Sequence, residues 1–473
     1  MRKYWRTYST EDQLVDFFLN VAWLLKELAM IVVKVGYTIG RTLLSVFLPK
    51  PDCAVVGNHV VSGIPTWKVT IPYSVRPRGI HIIGPMGSGK SVLMKRLAIA
   101  DMQTNATVIV IDPKGDTAKA LLGHIPPHRQ HDAVYLDLTD SAMPIGLNVL
   151  QKVPPHLRTR ATSDVVMTFK KLFRKSWGVR MEHFLRMGVA TLLEAPEPST
   201  LLDIPRLFLN NDYRMQILAY ISNPMVRRFW EEEYLAIVNR RSFFTVIEPI
   251  LNKLSMLNFP EVACVIGQAN PRLDLQKVIR SGGTVLAHIP QSFLGEDVSQ
   301  FLCALFFTKV QLITMSQPSG DSRRLTIVHA DEFQTYLSGS FEKAMTEGRS
   351  FNLCLCLAHQ FPQQLDRSLQ QAINHNVAVR LTCQVEKGRH SIWYHRLQEP
   401  SHHPELLSPL PLLGAGDPQI VKAVRTSSRQ RYGLSRQEVE FEIAQHFTPN
   451  IQIIPRQYIA NKESIRAIDI WSN

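Results

Sequence analysis

The chain has 473 residues, of which 45% are hydrophobic and 20% are charged. These are ordinary globular values, which exclude a wholly disordered chain, and the length is too great for one core, so we expect two or three folded units of roughly 100 to 200 residues each. The 53 Lys and Arg residues against 40 Asp and Glu give a formal net charge of +13, which suits a polyanionic partner or an anionic membrane face without choosing between them.

The first predicted element is a long apolar helix over residues 13–48. It is too long for a cleaved secretion signal and lacks a small-residue cleavage site, so we expect it to stay on the protein. Its polar residues fall on one narrow stripe of a helix, and Gly36 and Gly40 on the opposite face have the spacing of closely packed membrane helices. Two interpretations stay open: a helix that inserts into or lies on a membrane, and a soluble amphipathic helix packed on protein.

A strand-like run over residues 80–83 leads into the sequence 84-GPMGSGKS-91, and a helical pattern follows. Strand, GxxxxGK[ST] loop and helix in this order predict a loop whose backbone amides bind phosphates. We expect Lys90 to reach the β- and γ-phosphates of ATP and Ser91 to coordinate Mg²⁺. The predicted nucleotide-binding residues of this loop are Gly84, Pro85, Met86, Gly87, Ser88, Gly89, Lys90 and Ser91.

The next predicted strand is 107-TVIVID-112, a β-rich apolar run typical of a buried parallel strand, and 113-PKGD-116 follows it. Asp112 stands at the carboxyl end of this strand, where open α/β sheets place their ligands. An Asp in this position also serves to cap the following turn. The sequence leaves both interpretations open.

A later strand pattern, 324-RLTIVHADEF-333, ends in two acidic residues. We expect Asp331 to hold Mg²⁺ through water, and Glu332 to polarise the attacking water as a general base. Two acids at a strand end can also be ordinary loop residues. The apolar run before them favours the catalytic interpretation.

The strand pattern 353–359 follows and leads to Gln360, whose amide is predicted to sense the γ-phosphate and the attacking water. A helical pattern over 341–351 carries Arg349 to this strand. Arg349 is predicted either to complete the site of a neighbouring subunit, as an arginine finger does, or to form a surface salt bridge.

The remaining patterns divide the chain into four parts. We predict an N-terminal amphipathic or membrane helix over 1–50, a P-loop ATPase domain over 51–150 and 281–388, a helical insertion over 151–280 and a basic C-terminal extension over 389–473. The extension is predicted to contain a short helix begun by a Ser cap, and its arginines are candidates to contact nucleic acid or a recruitment factor. The insertion carries a basic cluster that faces either DNA, a partner or solvent: Lys170, Lys171, Arg174, Lys175 and Arg180.

The order of these motifs resembles that in the coupling-protein ATPases of type IV secretion. These are conjugative DNA transfer proteins of the TraG/TraD type, in the FtsK/HerA branch of P-loop motors. The strings that carry the resemblance lie over about residues 75–385 and include GPMGSGKS, VIVIDPKGD, ADEFQTY and EGRSFNLCLCLAHQ. His329 and Ala330 depart from the family pattern, which has aliphatic residues there, and are expected to loosen their strand.

The resemblance implies an α/β fold, with a RecA-like P-loop ATPase domain, a mostly parallel central sheet, an inserted α-helical domain and an N-terminal membrane-associating helix. It implies a homo-hexamer at the cytoplasmic face of the bacterial inner membrane, which hydrolyses ATP with Mg²⁺ and delivers single- or double-stranded DNA, or a DNA–protein complex, to a type IV secretion channel, with relaxosome proteins as partners. It supports the roles given above to Lys90, Ser91, Asp331, Glu332, Arg349 and Gln360. The alternatives are a nucleotide-gated adaptor that recruits cargo without pumping, and a soluble HerA-like DNA repair helicase.

Overall fold

The computed structural model describes residues 53–61, 64–238, 242–318, 323–337, 340–399 and 403–447. The helix predicted over 13–48 lies outside the described residues, and so does the end of the chain after residue 447.

The described residues contain one mixed sheet of 11 strands. The strands are β1 (Cys53–Val61), β2 (Ile64–Pro72), β3 (Ile80–Ile83), β4 (Thr107–Asp112), β5 (Ala133–Asp137), β6 (Thr284–His288), β7 (Thr326–Asp331), β8 (Leu353–His359), β9 (Val379–Glu386), β10 (Arg389–Arg396) and β11 (Glu405–Ser408). Their order across the sheet is β2-β1-β11-β10-β9-β3-β8-β7-β4-β6-β5.

The strands from β9 to β5 in this order are parallel. Every residue of β4, β7 and β8 is buried, which explains why these strands read as nearly continuous apolar runs. The predicted mostly parallel central sheet is therefore confirmed. On the other side of β9 the sheet continues with antiparallel pairs to β10, β11 and β1. Two of these strands, β10 and β11, come from the predicted C-terminal extension, so the sheet runs on past residue 388.

Helices cover the sheet and fill the long connection between β5 and β6. They are α1 (Lys90–Met102), α2 (Asp116–Leu122), α3 (Arg158–Leu172), α4 (Val179–Glu194), α5 (Asp203–Leu209), α6 (Asn211–Leu218), α7 (Pro224–Arg228), α8 (Leu235–Val238), α9 (Ser242–Leu254), α10 (Pro260–Ile266), α11 (Leu275–Ser281), α12 (Gln291–Leu294), α13 (Glu296–Met315), α14 (Ser340–Gly348), α15 (Arg367–Asn376), α16 (Pro418–Tyr432) and α17 (Arg436–Phe447).

The helical insertion, α3 to α11, shares one hydrophobic core with the sheet. Aromatic side chains fill its centre, where Trp230 and Tyr234 are almost fully buried within a π-helical turn. Their polar atoms are paired, since Trp230 Nε1 donates to Thr191 Oγ1 at 2.8 Å and the Tyr234 hydroxyl donates to Phe208 O at 2.6 Å. Burial with satisfied hydrogen bonds fixes these large side chains in place.

Among the described residues α13 alone is long and apolar enough to cross a membrane, by length and composition. However, 83% of its most apolar stretch is buried inside the protein, as in a core helix. The Phe301 ring of α13 packs on Phe169 of α3 with ring centroids 4.8 Å apart. This helix therefore ties the insertion to the sheet.

The C-terminal helix α16 packs on β5 at the edge of the sheet. Ser428 Oγ accepts a hydrogen bond from the backbone nitrogen of Tyr135 at 2.9 Å. This bond gives a partner to one backbone N–H group of the edge strand β5. The arginines of α16 form ion pairs with acids beside this edge, Arg425 with Asp137 at 3.1 Å and Arg429 with Asp140 at 2.8 Å. The extension is thus packed against the ATPase sheet along α16.

The predicted Ser cap is confirmed at the start of α17. The backbone nitrogen of Glu438 donates to Ser435 Oγ at 3.2 Å, and the backbone nitrogen of Ser435 donates to Glu438 Oε2 at 2.9 Å. The two residues therefore satisfy each other's free amides, as in a capping box.

His329 does not loosen its strand, so that expectation was wrong. The ring is fully buried, and its Nε2 atom lies 2.9 Å from Asp101 Oδ2, while Arg76 Nη2 donates to Asp101 Oδ1 at 2.5 Å. Strand β7 is paired on both sides, with β4 and with β8. A polar residue is tolerated within this strand because helix α1 supplies a buried carboxylate to meet it.

Candidate nucleotide-hydrolysis site

The site lies at the carboxyl ends of four neighbouring strands, β3, β8, β7 and β4. Strand β3 leads into the glycine-rich loop, β8 into Gln360, β7 into Asp331 and Glu332, and β4 into Lys114. Parallel strands end at the same edge of a sheet, so segments far apart in sequence meet there.

The glycine-rich loop is shaped by its glycines. Gly87 has φ 80° and Gly89 φ 90°, the left-handed region that other residues rarely adopt. At Gly84 a Cβ atom would lie 2.3 Å from Ser88 Oγ and 2.8 Å from Cys383 Cβ, so a side chain does not fit. Helix α1 begins at Lys90 without a side-chain cap, which leaves its first amides directed at the loop.

Both predicted acids lie beside Lys90. Its Nζ atom is 3.1 Å from Asp331 Oδ1 and 3.1 Å from Glu332 Oε1, and all three side chains are less than a tenth exposed. Glu332 and Lys90 therefore lie on the same side of the sheet, as the roles predicted for them require. Ser91, partly buried, follows in the first turn of α1.

Glu332 has a constrained backbone as well as a crowded carboxylate. Its φ of 45° is left-handed, which costs of order 1–3 kcal/mol for a residue other than glycine and is typical of functional sites. Its amide donates to Asp331 Oδ1 at 3.0 Å, and its carbonyl accepts from Thr335 Oγ1 at 2.8 Å. These bonds hold the turn after β7 in the conformation that directs Glu332 at Lys90.

Three further side chains donate to the Glu332 carboxylate. Lys114 Nζ lies 2.5 Å and Gln360 Nε2 3.0 Å from Oε1, and Gln334 Nε2 lies 2.9 Å from Oε2. Burial raises the pKa of Glu332, but the hydrogen bonds, that of Lys114 first, outweigh burial and lower the pKa to about 2. The carboxylate is therefore ionised at neutral pH and held in one orientation.

The sequence interpretation missed Lys114, and also Gln334, as members of this cluster. The string 113-PKGD-116 after β4 indicated the position of Lys114, because a cation just past the end of a parallel strand lies at the same edge as the acids.

Asp112, at the end of β4, acts as a cap. Its Oδ1 atom accepts from the amides of Lys114 at 3.0 Å and Gly115 at 2.9 Å, and Oδ2 accepts from Ala118 at 2.8 Å. Of the two open interpretations, the structure favours the capping one, and Asp112 thereby fixes the position of Lys114.

A cavity of about 570 Å³ opens above the glycine-rich loop. Lys114, Glu332 and Gln360 line its polar side. A mostly apolar part of the lining comes from strands β1, β9 and β10 and from the segment 409–412, which belongs to the predicted C-terminal extension. Arg96 of α1 donates from Nη2 to Pro411 O and so ties this segment to the helix behind the loop.

Arg349 is not part of this cluster within one chain. It is exposed and lies in the turn before β8, at the amino end of the strand whose carboxyl end leads to Gln360. The seven residues of β8 separate the two by about 23 Å, at roughly 3.3 Å per residue. Arg349 therefore lies too far from the cavity of its own chain to contact a nucleotide bound there.

Comparisons with known proteins identify the fold. No protein-family model matches the sequence, and no curated protein is significantly similar to it. The plasmid coupling protein TrwB in complex with the non-hydrolysable ATP analogue ADPNP aligns with a TM-score of 0.51 at 15% identity, over 80% of this chain and 94% of that one. TrwB in complex with the GTP analogue GDPNP aligns with a TM-score of 0.50 at 16% identity, over 79% and 97%. VirB4 of Thermoanaerobacter pseudethanolicus has a TM-score of 0.47 at 14% identity, over 77% and 98%.

Identities this low establish the fold and not the activity. The chain has the RecA-like P-loop ATPase fold of the conjugative coupling protein TrwB.

Proposed function

We propose that this chain is an ATP-hydrolysing motor of type IV secretion or conjugation, which delivers DNA or a DNA–protein complex to the secretion channel. The observation that carries the proposal is the meeting of Lys90, Asp331, Glu332 and Gln360 at one cavity. The shared fold with TrwB and the net charge of +13 support DNA as the cargo.

The residues present fit ATP and Mg²⁺. The glycine-rich loop and the uncapped start of α1 offer backbone amides to phosphates, and Lys90 adds a buried cation. The Ser91 hydroxyl and the Asp331 carboxylate are the hard oxygen ligands that Mg²⁺ prefers. When bound, the nucleotide supplies the terminal phosphoanhydride bond, and Mg²⁺ neutralises charge on its oxygens.

Within this site the chain positions the water and receives its proton. Glu332 orients and polarises a water molecule through a carboxylate that is ionised at neutral pH. Gln360 would hold both the water and the terminal phosphate, a role that its hydrogen bond to the Glu332 carboxylate at 3.0 Å supports. Arg349 of a neighbouring subunit would supply further positive charge, which is the reason to propose a ring, a homo-hexamer by resemblance to the family.

Two other functions compete with this proposal. An adaptor that uses nucleotide as a latch needs Lys90 and Ser91 but no base, so the carboxylate held at Glu332 by three side chains favours turnover. A soluble helicase has no use for the apolar segment 13–48, which is the basis for proposing the cytoplasmic face of the bacterial inner membrane. Release of the full-length protein into the soluble fraction without detergent would argue for the helicase.

Steady-state ATPase assays at low salt, with and without single- and double-stranded DNA, test the proposal. We expect DNA to raise the rate, and Glu332→Gln to bind ADPNP normally while losing about 10²- to 10⁴-fold in turnover. Glu296→Gln is the matched control, because this exposed glutamate lies in the first turn of α13, away from the cavity. A rate that no DNA changes would favour the adaptor. Normal hydrolysis by Glu332→Gln would overturn the assignment of the base.

A further inference from the structure

Lys171 of the helical insertion reaches into the ATPase domain. It lies in the last turn of α3, next to Lys170, within the basic cluster that the sequence analysis left facing DNA, a partner or solvent. Lys170 pairs with Glu182 at 2.9 Å, whereas Lys171, also partly buried, donates to backbone carbonyls. Two adjacent lysines of one helix thus have different surroundings.

The Lys171 Nζ atom donates to two backbone carbonyls of the segment that follows Glu332. It lies 2.8 Å from Gln334 O and also donates to Leu337 O. Burial lowers the pKa of Lys171 to about 8, a cost that these two hydrogen bonds offset. Within the described part of the chain, the hydrogen bonds of this ammonium group go to the two backbone carbonyls, and the carboxylate of Asp366 acts on it through its charge.

The segment held by Lys171 is the one that orients the proposed base. Gln334, whose carbonyl accepts from Lys171, donates its own side-chain amide to Glu332 Oε2 at 2.9 Å. The backbone nitrogen of Thr335 also donates to Glu332 O at 3.0 Å, which closes the turn in which Glu332 keeps its left-handed φ. One cation of the insertion therefore braces the turn on both sides of Thr335.

We propose that Lys171 is a positioning residue for hydrolysis, through which helix α3 of the insertion holds the turn 332–337 and so sets the orientation of the Glu332 carboxylate. The inference rests on the proposed function, because it takes Glu332 as the base. The helical insertion would then contact the hydrolysis site directly, through the interface between α3 and the turn after β7. A displacement of α3 would move the base without moving Lys90 or the glycine-rich loop.

The test compares Lys171→Met, Lys171→Arg and the matched control Lys170→Met in the full-length protein. Errors of about 1 Å in the position of a catalytic group cost on the order of 10²-fold, so we expect Lys171→Met to lower kcat by about 10- to 100-fold. KM for ATP and the Kd for ADPNP should stay within about twofold, because the phosphate-binding residues are untouched. Lys171→Arg, which keeps a cation and its donors, should recover most of the rate, and Lys170→Met should match the wild type.

A double variant separates positioning from general damage. On the Glu332→Gln background, Lys171→Met should cost little further activity, since both changes act through the same carboxylate. Should Lys171→Met fold poorly, Lys171→Gln, which keeps one donor, gives the same comparison. Wild-type kcat in a folded Lys171 variant that lacks the cation, or a full additional loss on the Glu332→Gln background, would overturn the inference. If Glu332→Gln itself were fully active, the proposed function would fail instead.

Discussion

The Lys90 Nζ atom lies 3.1 Å from Glu332 Oε1, although 242 positions separate the two residues in the chain. The contact arises because β3 and β7 are both neighbours of β8, so that the segments after them meet at one edge. The same carboxylate oxygen also accepts from Lys114 at 2.5 Å. The charge and orientation of Glu332 therefore depend on two lysines from two different loops.

Lys114→Met should lower kcat more at acid pH than at neutral pH. The lowered pKa of Glu332 means that its ionised form is present above about pH 2 and is lost as the pH falls through that value. Without Lys114 the pKa of Glu332 should rise towards the ordinary value of roughly 4.3, because the first of the hydrogen bonds that lower it is lost. We therefore expect the ratio of wild-type to variant kcat to grow as the pH falls from 7 to about 4, near the ordinary pKa of a glutamate.

Measured kcat–pH profiles check this prediction, with Lys119→Met as the control. Lys119 is exposed, on helix α2 just after the same loop. A ratio that stays constant over this pH range would show that Lys114 does not set the pKa of Glu332.

Arg349→Ala should remove hydrolysis without removing nucleotide binding. The residue lies one strand length from the site of its own chain, so the arginine finger that we propose would act on a neighbouring subunit. A finger of this kind is worth about 10³- to 10⁵-fold in rate. We expect Arg349→Ala to lose at least about 10³-fold in kcat and to bind ADPNP normally, while Arg367→Ala, at an exposed arginine of α15, has no effect.

Mixing subunits distinguishes action between chains from action within one. In the proposed ring, Arg349→Ala and Lys90→Ala subunits should each be inactive alone, but a mixed ring would contain interfaces in which an intact Lys90 site faces an intact Arg349. Partial recovery of ATPase activity in the mixture is the expected result. Unchanged activity of Arg349→Ala alone would show that Arg349 is a surface side chain without a role in hydrolysis.

Asp101→Asn should destabilise the fold strongly. Asp101 pairs with Arg76 at 2.5 Å and with His329 at 2.9 Å, and the three side chains are fully buried. Removing the anion leaves a buried guanidinium unpaired, which costs about 3 to 5 kcal/mol. Thermal unfolding should therefore show a clear fall in Tm.

The exposed pair between Arg228 and Glu232 provides the control, since Glu232→Gln should leave Tm unchanged. Equal Tm values for both variants would contradict the importance of the buried pair.

The local motifs of the sequence determined the parts of the site that depend on neighbours in the chain. The strand, glycine-rich loop and helix around Lys90 follow from residue types that favour only a few backbone conformations. The buried strand that ends at Asp331, just before Glu332, follows from its apolar run. The mostly parallel sheet follows from the alternation of such strands with helical patterns. The edge at which strand ends meet could then be inferred from general rules of open sheets.

The tertiary structure alone decided which distant side chains meet these motifs. Lys171 on the carbonyl of Gln334, Asp101 beside His329, and the segment 409–412 on the wall of the cavity are contacts between separate elements, with no trace in local periodicity. The sequence around a lysine or a histidine is the same whether its side chain is exposed to solvent or paired with a buried partner. Its role is fixed only when packing removes it from water, because an unpaired polar group in the interior is costly and its partner must come from whatever element the fold brings beside it.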